Sequence, residues 1–279
     1  MSTVTIVTDS AGDIPTDLAA DLGIVVVPLS IRFGEEEYTD CVDLTPAAFW
    51  AKCASSATLP ETAAPSPGAF AAAFSAARDA GAAGVVCLTI SAELSGTYQS
   101  ALTAAESLEG FEVAVLDTRA VTMAEGFLTI AAAEAARDGA SVAEIVALST
   151  ANIERIGVIG SLDTLEHLKK GGRVGGAQAL LGSMLSIKPL LELKDGKVAE
   201  AGRQRTRAKA IAHLAKAVMD DGPYARLAVA HGSAPDLDVL LAKLEGVECD
   251  TPIVVTEIGS VVGTHGGPGI IGICWMRRA

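Results

Sequence analysis

At 279 residues the chain is long for one core and fits two domains of ordinary size, and with half its residues hydrophobic and a fifth charged it falls outside the disordered class. A net charge of −13 repels phosphate backbones, which sets nucleic acid aside as a partner. Five cysteines, at 41, 53, 87, 249 and 274, are odd in number and form no Cys-x-x-Cys pair, the pattern of reduced thiols in a cytoplasmic protein.

Residues 3–8 form a short β-branched run ended by Asp9 and Ser10, which reads as a strand and not as a signal peptide. A second apolar extended run covers residues 24–33 through Pro28, a third 84–90 and a fourth 112–116. Helices fall between them. Ser66 and Pro67 read as N-cap and first helical residue, with Phe70, Ala73, Phe74 and Ala77 on one stripe. Residues 95–108 and 121–138 follow, the latter stopped by Gly139, and Ser141 and Glu144 are spaced as a capping box. Strands alternating with helices predict an α/β fold with a mostly parallel sheet over residues 1–150. Such sheets hold ligands in the crevice at the carboxyl ends of their strands.

Residues 151–279 read instead as a two-layer α+β domain, which places the domain break near 150. A strand at 156–160 leads to a helix at 161–170 ended by Gly171 and Gly172, and to another helix near 177–185. Residues 187–194 and 197–203 form a hairpin turned at Asp195-Gly196. A helix at 206–219, a strand at 225–231, a helix at 235–244 and strands near 252–258 and 270–276 complete the chain. The uncharged stretch 258–276 is long enough to raise the membrane question, but its six glycines, Pro268 and His265 have no helical spacing. It reads as strand, loop, strand, with no stable membrane insertion.

Three polar, glycine-bearing segments stand at the edges of apolar runs. In residues 62–68 Thr62 offers a hydroxyl beside a helix start capped by Ser66. In residues 91–98, directly after a strand, Ser91, Ser95 and Thr97 offer hydroxyls, and the Ser95-Gly96 turn brings free backbone N–H groups to the crevice, a setting for an anion. In residues 263–269 glycines allow close approach of a ligand to His265, a donor or base. Gly267 to Gly272 matches G-x-G-x-x-G, but no helix and no acidic residue follow, so a dinucleotide site is set aside. No G-x-S-x-G, P-loop or zinc spacing is present, so neither metal nor cofactor is expected. Asp9, Ser95 and His265 supply the residue types of a hydrolytic triad without local support for one. Lys169, Lys170 and Arg173, and then Arg203, Arg205, Arg207 and Lys209, are basic clusters in an acidic chain. They read either as solvated helix charge or as a docking patch for an acidic partner.

Taken in order, Thr8-Asp9-Ser10, Thr62 with Pro65-Ser66-Pro67, the run from Leu94 to Ala101, the run from Leu168 to Val174, Ile187-Lys188-Pro189 and the run from Gly263 to Gly269 resemble the signature segments of the DegV family. The resemblance spans nearly the whole chain. It implies a two-domain α/β protein that buries a long-chain fatty acid at the domain interface and serves, without catalysis or cofactor of its own, as the acyl-binding subunit of a bacterial fatty acid kinase. A separate ATP-using subunit would phosphorylate the bound carboxylate, feeding phospholipid synthesis. By motif position Thr62, Ser95 with the Gly96 N–H, and His265 would hold the carboxylate, with Ser91 a further hydroxyl. Arg173 and Arg203 would face the kinase subunit. Three departures touch the site: the usual Thr-Ser-Gln-Pro-Ser reads Thr62-Ala63-Ala64-Pro65-Ser66, the usual Ser-Ser pair reads Ser91-Ala92, and Gly266 stands where threonine is usual. Hydroxyls and one histidine would hold a carboxylate, or a protonated acid, without a buried fixed countercharge. The competing readings are an acyl-ester hydrolase or transferase using Ser95 and His265, and a lipid sensor.

Overall fold

β-Branched residues open the chain as expected, and the computed structural model, which describes residues 3–183 and 187–279 and side chains of the first stretch to residue 180, begins with strand β1 (Val4–Asp9). There follow α1 (Thr16–Asp21), β2 (Val25–Val27), β3 (Ser30–Phe33), β4 (Glu36–Thr39), α2 (Pro46–Ser55), β5 (Glu61–Ala63), α3 (Pro67–Asp79), β6 (Gly84–Thr89), α4 (Thr97–Glu106), β7 (Val113–Asp117), α5 (Met123–Arg137) and α6 (Val142–Ile153). Strands β2, β1, β6 and β7 lie side by side in that order, all parallel. The order reverses between β1 and β6, so the crevice of this sheet opens beyond their carboxyl ends. Ser66 and Ser141 cap α3 and α6 as their spacing predicts, the latter in a full capping box.

The second half supplies β8 (Ile156–Ser161), α7 (Glu166–Lys170), a 3-10 stretch (Gly175–Ser183), β9 (Lys188–Lys194), β10 (Lys197–Gln204), α8 (Arg207–Met219), β11 (Tyr224–His231), α9 (Leu237–Lys243), β12 (Val254–Glu257), α10 (Ser260–Gly266) and β13 (Ile271–Arg277). They build a six-stranded sheet in the order β10-β9-β8-β13-β11-β12, antiparallel except for the β11–β12 pair. The turn between β9 and β10 has φ of 50° at Asp195 and 76° at Gly196, the doubly left-handed geometry its Asp-Gly sequence predicts. The mixed α/β fold with a parallel sheet is therefore as read from the sequence.

Helix α5 joins the two sheets. It is apolar nearly all round, as a helix covered on both sides must be, and Met123, Phe127 and Ile130 share a core with Ile6 and Leu88 of the parallel sheet and with Ala228 and Cys274 of the other. Its alanines keep the three layers close. Among the described residues no helix is long and apolar enough to cross a membrane.

Four expectations need correction. Residues 24–33 are not one strand: Pro28 breaks the run, β2 joins the parallel sheet, and β3 turns away to pair with β4 and β5 in a small antiparallel sheet. Ser161 ends β8 instead of opening a helix, and the helix there is the five-residue α7. The helix expected near 177–185 is a 3-10 stretch, and the end of the expected span lies outside the described residues. Residues 263–269 are not simply a loop, because α10 runs through Gly266. Its glycines serve packing: a side chain on Gly263 would begin 2.6 Å from the Phe49 ring. Its first turn is held by acids from the other half, Asp13 accepting from the Gly259 N–H at 2.9 Å and Asp40 from the Ser260 hydroxyl.

Candidate functional site

A cavity of about 970 Å³, part of it open to solvent, lies where the two large sheets and α10 meet. Along the six-stranded sheet its wall is mostly aliphatic, with Glu192 of β9 the charged exception. Val158 of β8, Leu191 and Leu193 of β9 and Val198 of β10 face it, and Ile90 and Leu94 close it from the end of β6. Part of the floor is bare backbone, because Gly160 of β8 and Gly272 of β13 are direct cross-strand partners and both line the cavity. The polar side chains gather near one end: Thr62, Arg173 and His265 line this cavity and also a second one of about 720 Å³, part of it open to solvent, whose walls include Glu61, His167 and Lys170. These three side chains therefore form the partition between an apolar chamber and a polar vestibule.

Each of them is placed by a different element. Pairing of β5 with β3 sets Thr62 opposite Ile31, and its hydroxyl lies 3.1 Å from Nε2 of His265. His265 rides on the last turn of α10. Arg173, just beyond α7, donates from Nε to the Leu94 carbonyl at 3.0 Å and from Nη1 to the Gly171 carbonyl at 2.6 Å, bridging the segment before α4 to the loop after α7. Ser95 lines the cavity half-buried, 2.8 Å from the buried Thr97 hydroxyl, and its Oγ accepts the Thr97 N–H.

Of the residues singled out in the sequence, Thr62, Ser95, His265 and Arg173 are thus brought to one cavity. Gly96, the N-cap of α4, is exposed and outside its lining. Ser91 is fully buried, and its hydroxyl donates to the Gly196 carbonyl at 2.8 Å, so it ties the segment to the β9–β10 turn and leaves Ser95 as the serine at the cavity. Arg203 is exposed on β10 and does not line the cavity. Asp9 accepts from the Ala11 and Ile90 amides at 2.9 and 2.8 Å, two bonds that fix the end of β1 and set it apart from His265.

The expectation of a site without a fixed countercharge needs amendment, since the Arg173 guanidinium lies in the wall. Its field is felt at His265, whose pKa is pushed down to about 4 by burial first, then by Arg173 and His167. The imidazole is therefore neutral at physiological pH. Elsewhere in the interior lie acids that burial holds toward their neutral form. Asp9 and Asp13 are raised to about 7, chiefly by burial, and Glu125, wholly buried, is raised well above its usual range for the same reason.

Sequence reasoning missed the chamber's floor and the placement of Arg173. The alternation Val158, Gly160 and Leu191, Leu193 was visible as period-two pattern. Which face of the sheet meets the other half depends on α5, a long-range fact absent from local spacing.

The family model described as "Uncharacterised protein, DegV family" matches residues 3–278. A DegV domain-containing protein of Streptomyces coelicolor is 36% identical over 282 aligned residues, covering 99% of each chain. A structure of a DegV family protein from Thermus thermophilus, described by its fatty acid binding, superposes with a TM-score of 0.90 at 36% identity, covering 99% of this chain and 100% of that one. A fatty acid (stearic acid)-binding protein from Eubacterium ventriosum superposes with a TM-score of 0.88 at 26% identity, covering 98% of both chains.

Proposed function

The chain belongs to the DegV family, and from that premise we propose that it carries a long-chain fatty acid in the aliphatic chamber and presents the carboxylate to a separate ATP-dependent kinase subunit for acyl-phosphate formation. One observation carries the reading: Thr62, Arg173 and His265 stand together at the partition between a mostly apolar chamber and a polar vestibule. An amphiphile with one acidic end and a long tail matches that division. Burying roughly 15 methylenes at about 0.8 kcal/mol each yields roughly 12 kcal/mol before ordering costs, an upper limit. The tail supplies most of the affinity, and the head group sets the direction of insertion.

In this reading the two lobes, residues 1–150 and 151–279, close on the acyl chain, and the protein works in the cytoplasm with no cofactor of its own. Thr62, Ser95 and His265 hold the carboxylate, and Arg173 balances its charge from the wall. The Gly96 amide and the buried Ser91 shape the segment that carries Ser95. The vestibule, with Lys170 and Arg173, gives a phosphoryl donor a route to the carboxylate. Exposed Arg203 and the outer side of Arg173 serve as contacts for the acidic surface of a kinase subunit.

A hydrolase or transferase built on Ser95 and His265 is the weaker reading. A triad needs a carboxylate that orients the histidine and a histidine that reaches the serine. The hydrogen-bonding partner of His265 Nε2 is Thr62, its Nδ1 has no partner among the described residues, and Asp9 holds two backbone amides. Mass spectrometry of an organic extract of the protein purified from a bacterial host tests the carrier reading. A stoichiometric fatty acid is expected, with no turnover of acyl esters. An apo protein that binds no fatty acid after delipidation, or one that cleaves esters, overturns it.

A further inference from the structure

Gly171 follows α7 as its C-cap with φ of −74°, a conformation open to any residue, so the backbone does not call for glycine there. The reason lies across the contact. A Cβ at this position would sit 2.2 Å from Nδ1 and 2.7 Å from Cε1 of His265. The direction a Cβ would take is the direction of a Cα–H bond, so that bond points at Nδ1. A carbon-bound hydrogen facing a ring nitrogen suits a lone pair and gains weakly from it. An N–H in the same place would set two hydrogens against each other. Nδ1 is also buried without a hydrogen-bond partner among the described residues, so no acceptor stands ready for a hydrogen on it.

We infer that Gly171 is a positioning residue that fixes His265 as the tautomer with its proton on Nε2, so that Thr62 receives that hydrogen and turns its own hydroxyl hydrogen toward an ionised carboxylate. Nε2 and the Thr62 oxygen are 3.1 Å apart, so one of them donates to the other, and the bare Nδ1 decides which. Thr62 accepts from His265 and lines the chamber, leaving its hydrogen for the ligand. The carbonyl oxygen of a protonated acid could accept that hydrogen too, but an ionised carboxylate accepts it in a stronger, charge-assisted bond and brings no further donor to the site. The Arg173 charge in the same wall favours the same form. The depressed pKa of the imidazole agrees with a ring that stays neutral. The tautomer stands on geometry alone, and only the ionised ligand rests on the fatty-acid reading.

Long-range proton–nitrogen NMR of the full chain with nitrogen-15 histidine, His265 being assigned by its loss in His265→Gln, reads the tautomer directly. A protonated Nε2 and a bare Nδ1, unchanged between about pH 6 and about pH 8, are expected. A protonated Nδ1 overturns the inference. Gly171→Ala is expected to disturb the His265 signals and weaken binding of palmitate about tenfold. A folded Gly171→Ala protein with an unaltered His265 spectrum removes the role of Gly171, and if that variant fails to fold the wild-type spectrum still decides the tautomer. Carboxyl-labelled palmitate is expected to stay ionised when bound, and a protonated bound acid overturns the assignment of an ionised ligand. A protein that binds no palmitate at all sinks the carrier reading while the histidine spectrum stands on its own.

Discussion

The two ends of the cavity are built on opposite plans. The chamber end is sheet: side chains at period two from β8, β9 and β10, with a bare Gly160–Gly272 pair where the strands could otherwise have filled the space. The partition end is assembled from single residues on separate short pieces, Thr62 on β5, Arg173 after α7 and His265 on α10. A sheet wall is rigid and indifferent to direction, so it suits a tail recognised by area alone. Three side chains converging from three elements are directional, and small shifts in any one alter the geometry. Under the carrier reading, affinity and orientation would be carried by different parts of one cavity and would separate under mutation.

The largest expected effect comes from the chamber. Gly160→Leu places a side chain in open space, since a Cβ there meets nothing nearer than 3.4 Å, and it shortens the slot. Retention of an eighteen-carbon acid is expected to fall about 100-fold, and that of shorter acids less, by native mass spectrometry. Equal retention of both would mean the tail does not run over Gly160. Next are the buried acids of the interior. Asp9 and Asp13 hold protons more firmly in the folded chain, with pKa raised from 3.8 to about 7. Their contribution to stability is full below about pH 4 and is lost as pH rises through about 7. Thermal midpoints should decline over that window, and Asp13→Asn, which keeps a carbonyl for the Gly259 amide, should flatten the decline by roughly 1–3 kcal/mol. A parallel pH profile in the variant would contradict this.

Thr62→Val comes third. It removes one donor to a charged group, and palmitate affinity is expected to fall about tenfold while Thr62→Ser recovers it. An intact affinity in the valine protein would place the head group elsewhere. Arg173→Ala is the mildest on binding. Removing the neighbouring positive charge should raise the His265 pKa above its present value of about 4, seen by NMR titration, and slow phosphorylation by a kinase subunit more than it releases lipid. A His265 titration that does not move would show that burial alone depresses it.

How much of this was legible in the sequence follows the same division. Local signals worked wherever a local cause acts: the caps at Ser66 and Ser141, the Asp195-Gly196 turn and the β-branched run of β1 are as their residues predict. They failed where tertiary packing decides. The glycines of 263–269 suggested a loop, yet with Phe49 and Trp50 packed beside Gly263 they permit a short helix through Gly266. Pro28 was read through and not as the point where the chain leaves one sheet for another. The site residues were reached by ordered motifs, which gave Thr62, Ser95 and His265 together. Arg173 was expected to face a kinase subunit because the resemblance implied it, the basic cluster itself being open to either a solvated or a docking role, and only its bonds to Leu94 and Gly171 bring it into the wall.

Helix α10 is anchored at its start by Asp13 and Asp40, partners 246 and 220 positions away along the chain. During synthesis on the ribosome, a nascent polypeptide that already contains Thr62, Ser95 and Arg173 still lacks the piece that closes the chamber. Contacts of such long range form late. Under the carrier reading, loading with a fatty acid would wait until α10 is in place, and severed halves would regain it only after reassociating across that seam.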